Sequence, residues 1–198
     1  MSQSPSMEPR PGDALIVVDV QRDFLPGGAL AVPRGDEVVP VLNRYLEIFT
    51  GRDLPVVATR DWHPADHCSF RERGGPWPPH CIAGTPGAAF ADGLALPAQA
   101  IIVSKATAPD KDAYSGFQDT DLARRLREAG VRRVFVGGLA TDYCVLNTVR
   151  DALAEGFEVV LLEDAIRAVE VHPGDGERAV KEMQDAGADT ARLDAVAA

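Results

Sequence analysis

RVFVGGLATDYCVLNTVRDALAEG (133–156) reads, in order, as a buried strand, a glycine-bearing turn and an amphipathic helix closed by Gly156. FEVVLLED (157–164) follows as another apolar run. A strand, a crossover helix and a second strand with no alternation of polar residues make a βαβ unit of a parallel sheet covered on both faces. The same grammar extends outward. Upstream lie strand ALIVVD (14–19), helix EVVPVLNRYLEIF (37–49) and strand PVVAT (55–59). Then come strand AIIVS (100–104) and helix DTDLARRLREAG (119–130), with acidic residues in its first turn and Gly130 at its end. Downstream, GERAVKEMQDAG (176–187) is a further helix, and the tail ADTARLDAVAA leaves a last short strand open. The expected fold is α/β, a three-layer α/β/α sandwich around a parallel, Rossmann-like sheet of five to six strands.

The chain has 198 residues, the size of one domain at about 150 residues each. Residues 13–198 are read as that domain, and MSQSPSMEPRPG (1–12) as a disordered lead-in without the apolar core of a signal peptide. Thirty acidic residues against twenty basic ones give a formal net charge of −10. Such a surface repels phosphate backbones and anionic lipid, so neither nucleic acid nor membrane is an expected partner. No apolar run approaches the ~20 residues that span a bilayer. Three cysteines, Cys68, Cys81 and Cys144, cannot all pair, and without a secretory signal they read as reduced thiols of a cytoplasmic protein. Homo-oligomerisation is left open.

In open α/β sheets ligands bind outside the carboxyl ends of the strands. Asp19 closes the first strand, Asp61 and His63 follow the second, Lys105 closes the third, and Cys144 enters the helix after the fourth. A lone buried cysteine is ordinarily a small hydrophobe. Cys144, however, lies in a strand-to-helix turn, where the helix dipole favours the thiolate and backbone amides can hold an oxyanion. A carboxylate beside it can take the thiol proton and return it to a leaving amine. Lys105 keeps such a carboxylate ionised. Asp23 and Asp13 are rival carboxylates, Asp13 at the wrong end of its strand, and Lys111 is a rival lysine in a polar loop.

Residues 60–98 are dense in Pro, Gly, His and Trp and lack periodicity. A segment that long within a compact domain is commonly functional. Asp61 and His63 share one face of an extended chain, and His80 follows a Pro-Pro turn. Mixed His and carboxylate ligation with open positions is the pattern of a catalytic metal. The alternative is a closed structural zinc on His67, Cys68, His80 and Cys81. Phe24, Trp62, Trp77 and Tyr114 are candidates for core or for the walls of a ring-binding pocket.

Five blocks, DVQRDF (19–24), TRDWHPADH (59–67), GGPWPPHC (74–81), KATAPDKDAYSGF (105–117) and GLATDYC (138–144), together resemble the nicotinamidases, within the isochorismatase-like cysteine hydrolases. The likeness runs from about residue 13 to about residue 187. It implies a catalytic triad of Asp19, Lys105 and Cys144, and one divalent metal ion (zinc, with iron or manganese as alternatives) on Asp61, His63 and His80. A further ligand in some members is matched here by His67. It also implies an aromatic pocket of Phe24, Trp77 and Tyr114. The implied oxyanion hole is built from the amides of Ala140 and Cys144, with a cis peptide between Leu139 and Ala140. The implied activity is metal-dependent cysteine amidohydrolysis of nicotinamide to nicotinic acid and ammonia in NAD salvage. Acceptance of ring analogues such as pyrazinamide is left open. Competing readings are a superfamily hydrolase with another small substrate and a non-catalytic binding protein on the same fold.

Overall fold

The computed structural model describes residues 7–197. Six parallel strands form one sheet: β1 Asp13–Val18, β2 Val56–Asp61, β3 Ile101–Lys105, β4 Arg133–Leu139, β5 Glu158–Arg167 and β6 Asp189–Ala191, in the order β3-β2-β1-β4-β5-β6. The helices are α1 Val38–Thr50, α2 Leu122–Glu128, α3 Leu146–Ala154, α4 Asp175–Asp185 and the short α5 Leu193–Val196. The tail thus does hold a strand, three residues long, and a helical turn follows it. Residues 1–6 of the expected lead-in lie outside the described residues. Residues 7–12 run along the start of the sheet, where Arg52 donates to the Pro9 carbonyl at 2.6 Å and the Arg132 amide to that of Gly12 at 2.8 Å.

Every residue of β1 and β4 is buried, and successive side chains feed opposite faces. Leu15 and Val17 join α1 in one core, while Ala14, Ile16 and Val18 join α2, α3 and α4 in the other. α1 forms because Val38, Leu42, Tyr45, Leu46 and Phe49 fall on one helical stripe, and all are buried. Two helices start later than their sequence pattern predicts. Asp119 is left-handed (φ 55°), and the Thr120 hydroxyl bonds the Gly116 carbonyl at 2.6 Å. Both features suit a turn, so α2 begins at Leu122. Ahead of α3, residues 141–145 make a wide π turn in which the Val145 amide reaches back to the Ala140 carbonyl at 3.0 Å.

The order in which strands are added reverses between β1, whose successors lie toward β3, and β4, whose successors lie toward β6. This switch point opens a crevice at the carboxyl ends, flanked by Asp19 after β1 and Cys144 after β4. At the opposite edge Asp13 and Arg133, cross-strand neighbours, form a buried two-pronged ion pair at 2.6 and 3.0 Å. Asp13, the first residue of β1, is therefore structural, as its place at the end of the strand away from the crevice suggests. Gly138 (φ 128°) lies beside β1, where an added Cβ would overlap the Val18 carbonyl oxygen. Gly138→Ala is accordingly expected to abolish soluble folded protein or to lower the thermal midpoint steeply. A wild-type melting curve would show that β1 and β4 can separate without loss.

Candidate active site

Lys105, at the end of β3, is fully buried, and its ammonium gathers the groups at the crevice floor. It lies 2.9 Å from Asp19 Oδ2, 2.5 Å from Asp61 Oδ1, 3.4 Å from Cys144 Sγ and 3.3 Å from the Ala113 carbonyl. Asp19 leaves β1 in a left-handed conformation (φ 47°), which swings its carboxylate under the β4–α3 turn. The Thr59 hydroxyl donates to Asp19 Oδ1 at 2.7 Å and fixes its orientation. A ligand atom from each of Asp19, Asp61 and Cys144 falls within 4.8 Å of the others. Asp19, Lys105 and Cys144, brought together from three strands, are thus one contact network. The rival Lys111 instead turns its main-chain carbonyl to His67, 2.9 Å from Nε2.

The electrostatics of this network follow from burial and from one cation shared by two carboxylates. Burial pushes the Cys144 thiol well above its ordinary range, although Lys105 pulls the other way. Burial likewise raises Asp19, against the pull of Lys105 and with a further push from Asp61. For Asp61, burial is outweighed by Lys105 and His63, and its carboxyl is held low. Burial disfavours the Lys105 ammonium, yet Asp19 and Asp61 more than offset it and the lysine stays charged. The upward shift of Cys144 favours the protonated thiol. A strengthened carboxylate base stands beside it.

Asp61 also faces the other way. Its Oδ2 lies 3.5 Å from His63 Nε2 and 3.9 Å from His80 Nε2. The Nδ1 atom of His63 faces the Ala106 carbonyl at 3.2 Å, and that of His80 the Pro78 carbonyl at 2.8 Å. A carbonyl only accepts, so Nδ1 carries the proton in both rings and each Nε2 presents its lone pair. His63 Nε2 is buried and has no hydrogen-bond partner. Two lone pairs and a carboxylate converging within 4.8 Å, with both imidazoles fixed by carbonyls, are a donor set that fits a divalent cation. His67 has the opposite tautomer, since its Nε2 faces the Lys111 carbonyl at 2.9 Å and its Nδ1 the Ser69 hydroxyl at 2.7 Å. It stacks on His63 with ring centroids 4.2 Å apart, but both its nitrogens are engaged. Among the described residues, His67, Cys68, His80 and Cys81 do not converge as a ligand set, and Cys81 is buried in the α1-side core.

Residues 13–195 match the isochorismatase domain. The chain belongs to the isochorismatase family. Among its family relatives, the nicotinamidase of Escherichia coli K12 is 40% identical, the match covering 90% of this chain and 93% of that one. The pyrazinamidase of Pyrococcus horikoshii, solved in complex with zinc, is 56% identical with a TM-score of 0.89, over 92% of this chain and 99% of that one. PnC1 of L. infantum, solved in complex with nicotinate, is 40% identical with a TM-score of 0.85, over 94% and 95%.

In this isochorismatase-family chain Cys144 lines a small, largely apolar cavity. Phe24, Trp77 and Tyr114 line it, together with Asp61, His80 and Ala140. Trp77 Nε1 donates to the Tyr114 hydroxyl at 3.0 Å, which locks the two rings. Trp62 lies outside this lining, packed against the α1-side core with the Arg60 guanidinium 3.7 Å from its ring centre. The Leu139–Ala140 peptide is cis, as expected. Sequence reading missed Tyr143, whose ring meets Trp77 edge-on at 5.1 Å, and Ser69, Leu30 and Val169, which also line the cavity. For Tyr143 a signal existed, since it precedes Cys144 on a turn that faces the crevice. For Leu30 and Val169 there was none, because both lie in loops whose course only the folded chain defines. Asp23 is not in the network; it accepts the Cys81 amide at 2.7 Å and ties the His80 loop to β1.

Proposed function

We propose that this chain is a nicotinamidase, hydrolysing nicotinamide to nicotinic acid and ammonia through a thioester on Cys144. The observation that carries this reading is Lys105, whose single ammonium joins thiol, general base and metal-facing carboxylate beneath an aromatic cavity. The relatives named above, which act on nicotinamide or pyrazinamide or hold nicotinate, support it.

The pyridine ring enters between Phe24 on one side and Trp77 and Tyr114 on the other, which leaves the carboxamide over sulfur. Asp19 takes the Cys144 proton as the S–C bond forms, so a free thiolate never has to exist in this buried site. The carbonyl oxygen becomes an oxyanion facing the amides of Ala140 and Cys144, at about 3–4 kcal/mol per donor in comparable sites. Asp19 returns the proton to nitrogen as the C–N bond breaks, and ammonia leaves. In the second half Asp19 takes a proton from water, hydroxide oxygen adds to the thioester carbon, and the proton passes to sulfur as the S–C bond breaks and nicotinic acid departs. Lys105 keeps its charge throughout and offsets that of Asp19. Asp61, His63 and His80 would hold one divalent metal ion, zinc first and iron or manganese next. Such an ion supplies Lewis acidity toward a ring nitrogen or a water.

The role implied in the cell is cytoplasmic NAD salvage. Among the described residues no helix is long and apolar enough to cross a membrane. Ammonia release from nicotinamide, beside a panel of other small amides, tests the reading. Turnover of another amide in preference to nicotinamide would replace it with the related-hydrolase alternative. Within the pocket, Trp77→Leu is expected to raise KM for nicotinamide about 3- to 10-fold while changing kcat less, since an aromatic pair contributes about 0.5–1.5 kcal/mol. An unchanged KM would remove Trp77 from the ring site.

A further inference from the structure

The motif DVQRDF supplies Asp19 and Phe24 to the site, but its Gln21 is left without a role by the mechanism. Gln21 is completely buried, and its side-chain amide makes three hydrogen bonds. Oε1 accepts the Asp61 amide at 2.8 Å, and Nε2 donates to the Asp61 carbonyl at 2.8 Å and to the Ala88 carbonyl at 2.9 Å.

The reason for this grip lies in the sheet. β1 stops pairing with β2 when Asp19 turns left-handed, its amide making a last bond to the Thr59 carbonyl at 3.2 Å. β2 runs two residues further, to Asp61, which pairs with Lys105 of β3 on its other side. On the β1 side the main-chain groups of Asp61 would be buried without a strand partner, an arrangement costing about 1–3 kcal/mol per group. The carboxamide of Gln21 has one acceptor and two donors. It takes the place of the missing peptide unit and ties the strand end to the loop at Ala88 as well.

What it holds is the residue shared by both halves of the site. Asp61 gives Oδ1 to Lys105 and turns Oδ2 toward His63 and His80. A carboxylate serving two partners in opposite directions needs a fixed main chain, because a small rotation toward either side loses the other. We propose that Gln21 is a positioning residue that sets the Asp61 carboxylate for metal binding, and so the affinity of the site for a divalent cation. This rests on the metal reading above.

The test is zinc titration of the full chain, stripped of metal, followed by indicator competition. Gln21→Met keeps the length and removes all three bonds. Gln21→Glu keeps an acceptor for the Asp61 amide but offers no N–H to the two carbonyls, and serves if the Met variant does not fold. Each is expected to bind zinc about 10–100-fold more weakly, the usual effect of removing a group that orients a metal ligand. Asp13→Asn, which weakens the ion pair at the opposite edge of the sheet, is the control. It is expected to lower the thermal midpoint and leave zinc affinity unchanged. Folded Gln21 variants binding zinc like the wild type would overturn the proposal, as would an equal loss in Asp13→Asn, which would reduce the effect to general stability. A wild-type chain with no zinc affinity would overturn the metal reading itself, a result distinguishable from both.

Discussion

Cys144→Ala is expected to lose nicotinamide hydrolysis by roughly four to six orders of magnitude in kcat, the scale on which removing an activated nucleophile acts. Without sulfur there is no thioester, and Asp19 has no thiol to deprotonate. The cavity and its aromatic walls remain, so nicotinamide should still bind, and calorimetric titration can show it. The fold should survive. Replacing one small side chain at the crevice floor costs about 1 kcal/mol, so circular dichroism and the melting curve should stay near those of the wild type. Cys68→Ala should keep most activity, because Cys68 is half-buried in the 60–81 segment and takes no part in the network around Lys105. Cys81→Ala should also stay active at some cost in stability, its thiol being buried and held protonated by desolvation. Near wild-type turnover in Cys144→Ala would remove the nucleophile from the mechanism.

Removal of divalent metal is the second large effect. A chelator is expected to abolish ammonia release while leaving the circular dichroism spectrum and most of the thermal stability in place, and added zinc should restore the rate. Two observations argue for a metal that serves chemistry and not folding. The converging ligands number three, which leaves positions open. The two cores on either face of the sheet are continuous and apolar without it. His63→Ala should reproduce the chelated state, since it removes the lone pair that has no other partner. His67→Ala should fall short of that loss, because both its nitrogens are engaged by Ser69 and Lys111. Unfolding on chelation would revive a structural zinc. Unchanged fold and rate together would remove the metal from the reaction.

The elements were legible because their signals are local. Apolar runs such as ALIVVD and the 3.6-residue stripe of α1 report burial directly. Departures fell where a side chain or an irregular main-chain bond replaces the regular helix ladder. Thr120 and left-handed Asp119 delay α2, and the Ala140 carbonyl draws Val145 into a π turn.

The site divides in the same way. Asp19, Asp61, Lys105 and Cys144 could be singled out from sequence, because a parallel sheet sends the ends of all its strands to one edge and those residues stand just beyond strand ends. What each does with its second partner was decided only by the tertiary structure. The tautomers of His63 and His67 depend on carbonyls 43 and 44 residues away, and those bonds separate a free ligand nitrogen from an occupied one. Gln21 gains its hold on Asp61, 40 residues on, because β1 ends before β2 does. Periodicity along a chain carries the first kind of information. Pairing between loops and strand ends, set by hydrogen-bond geometry across the crevice, carries the second.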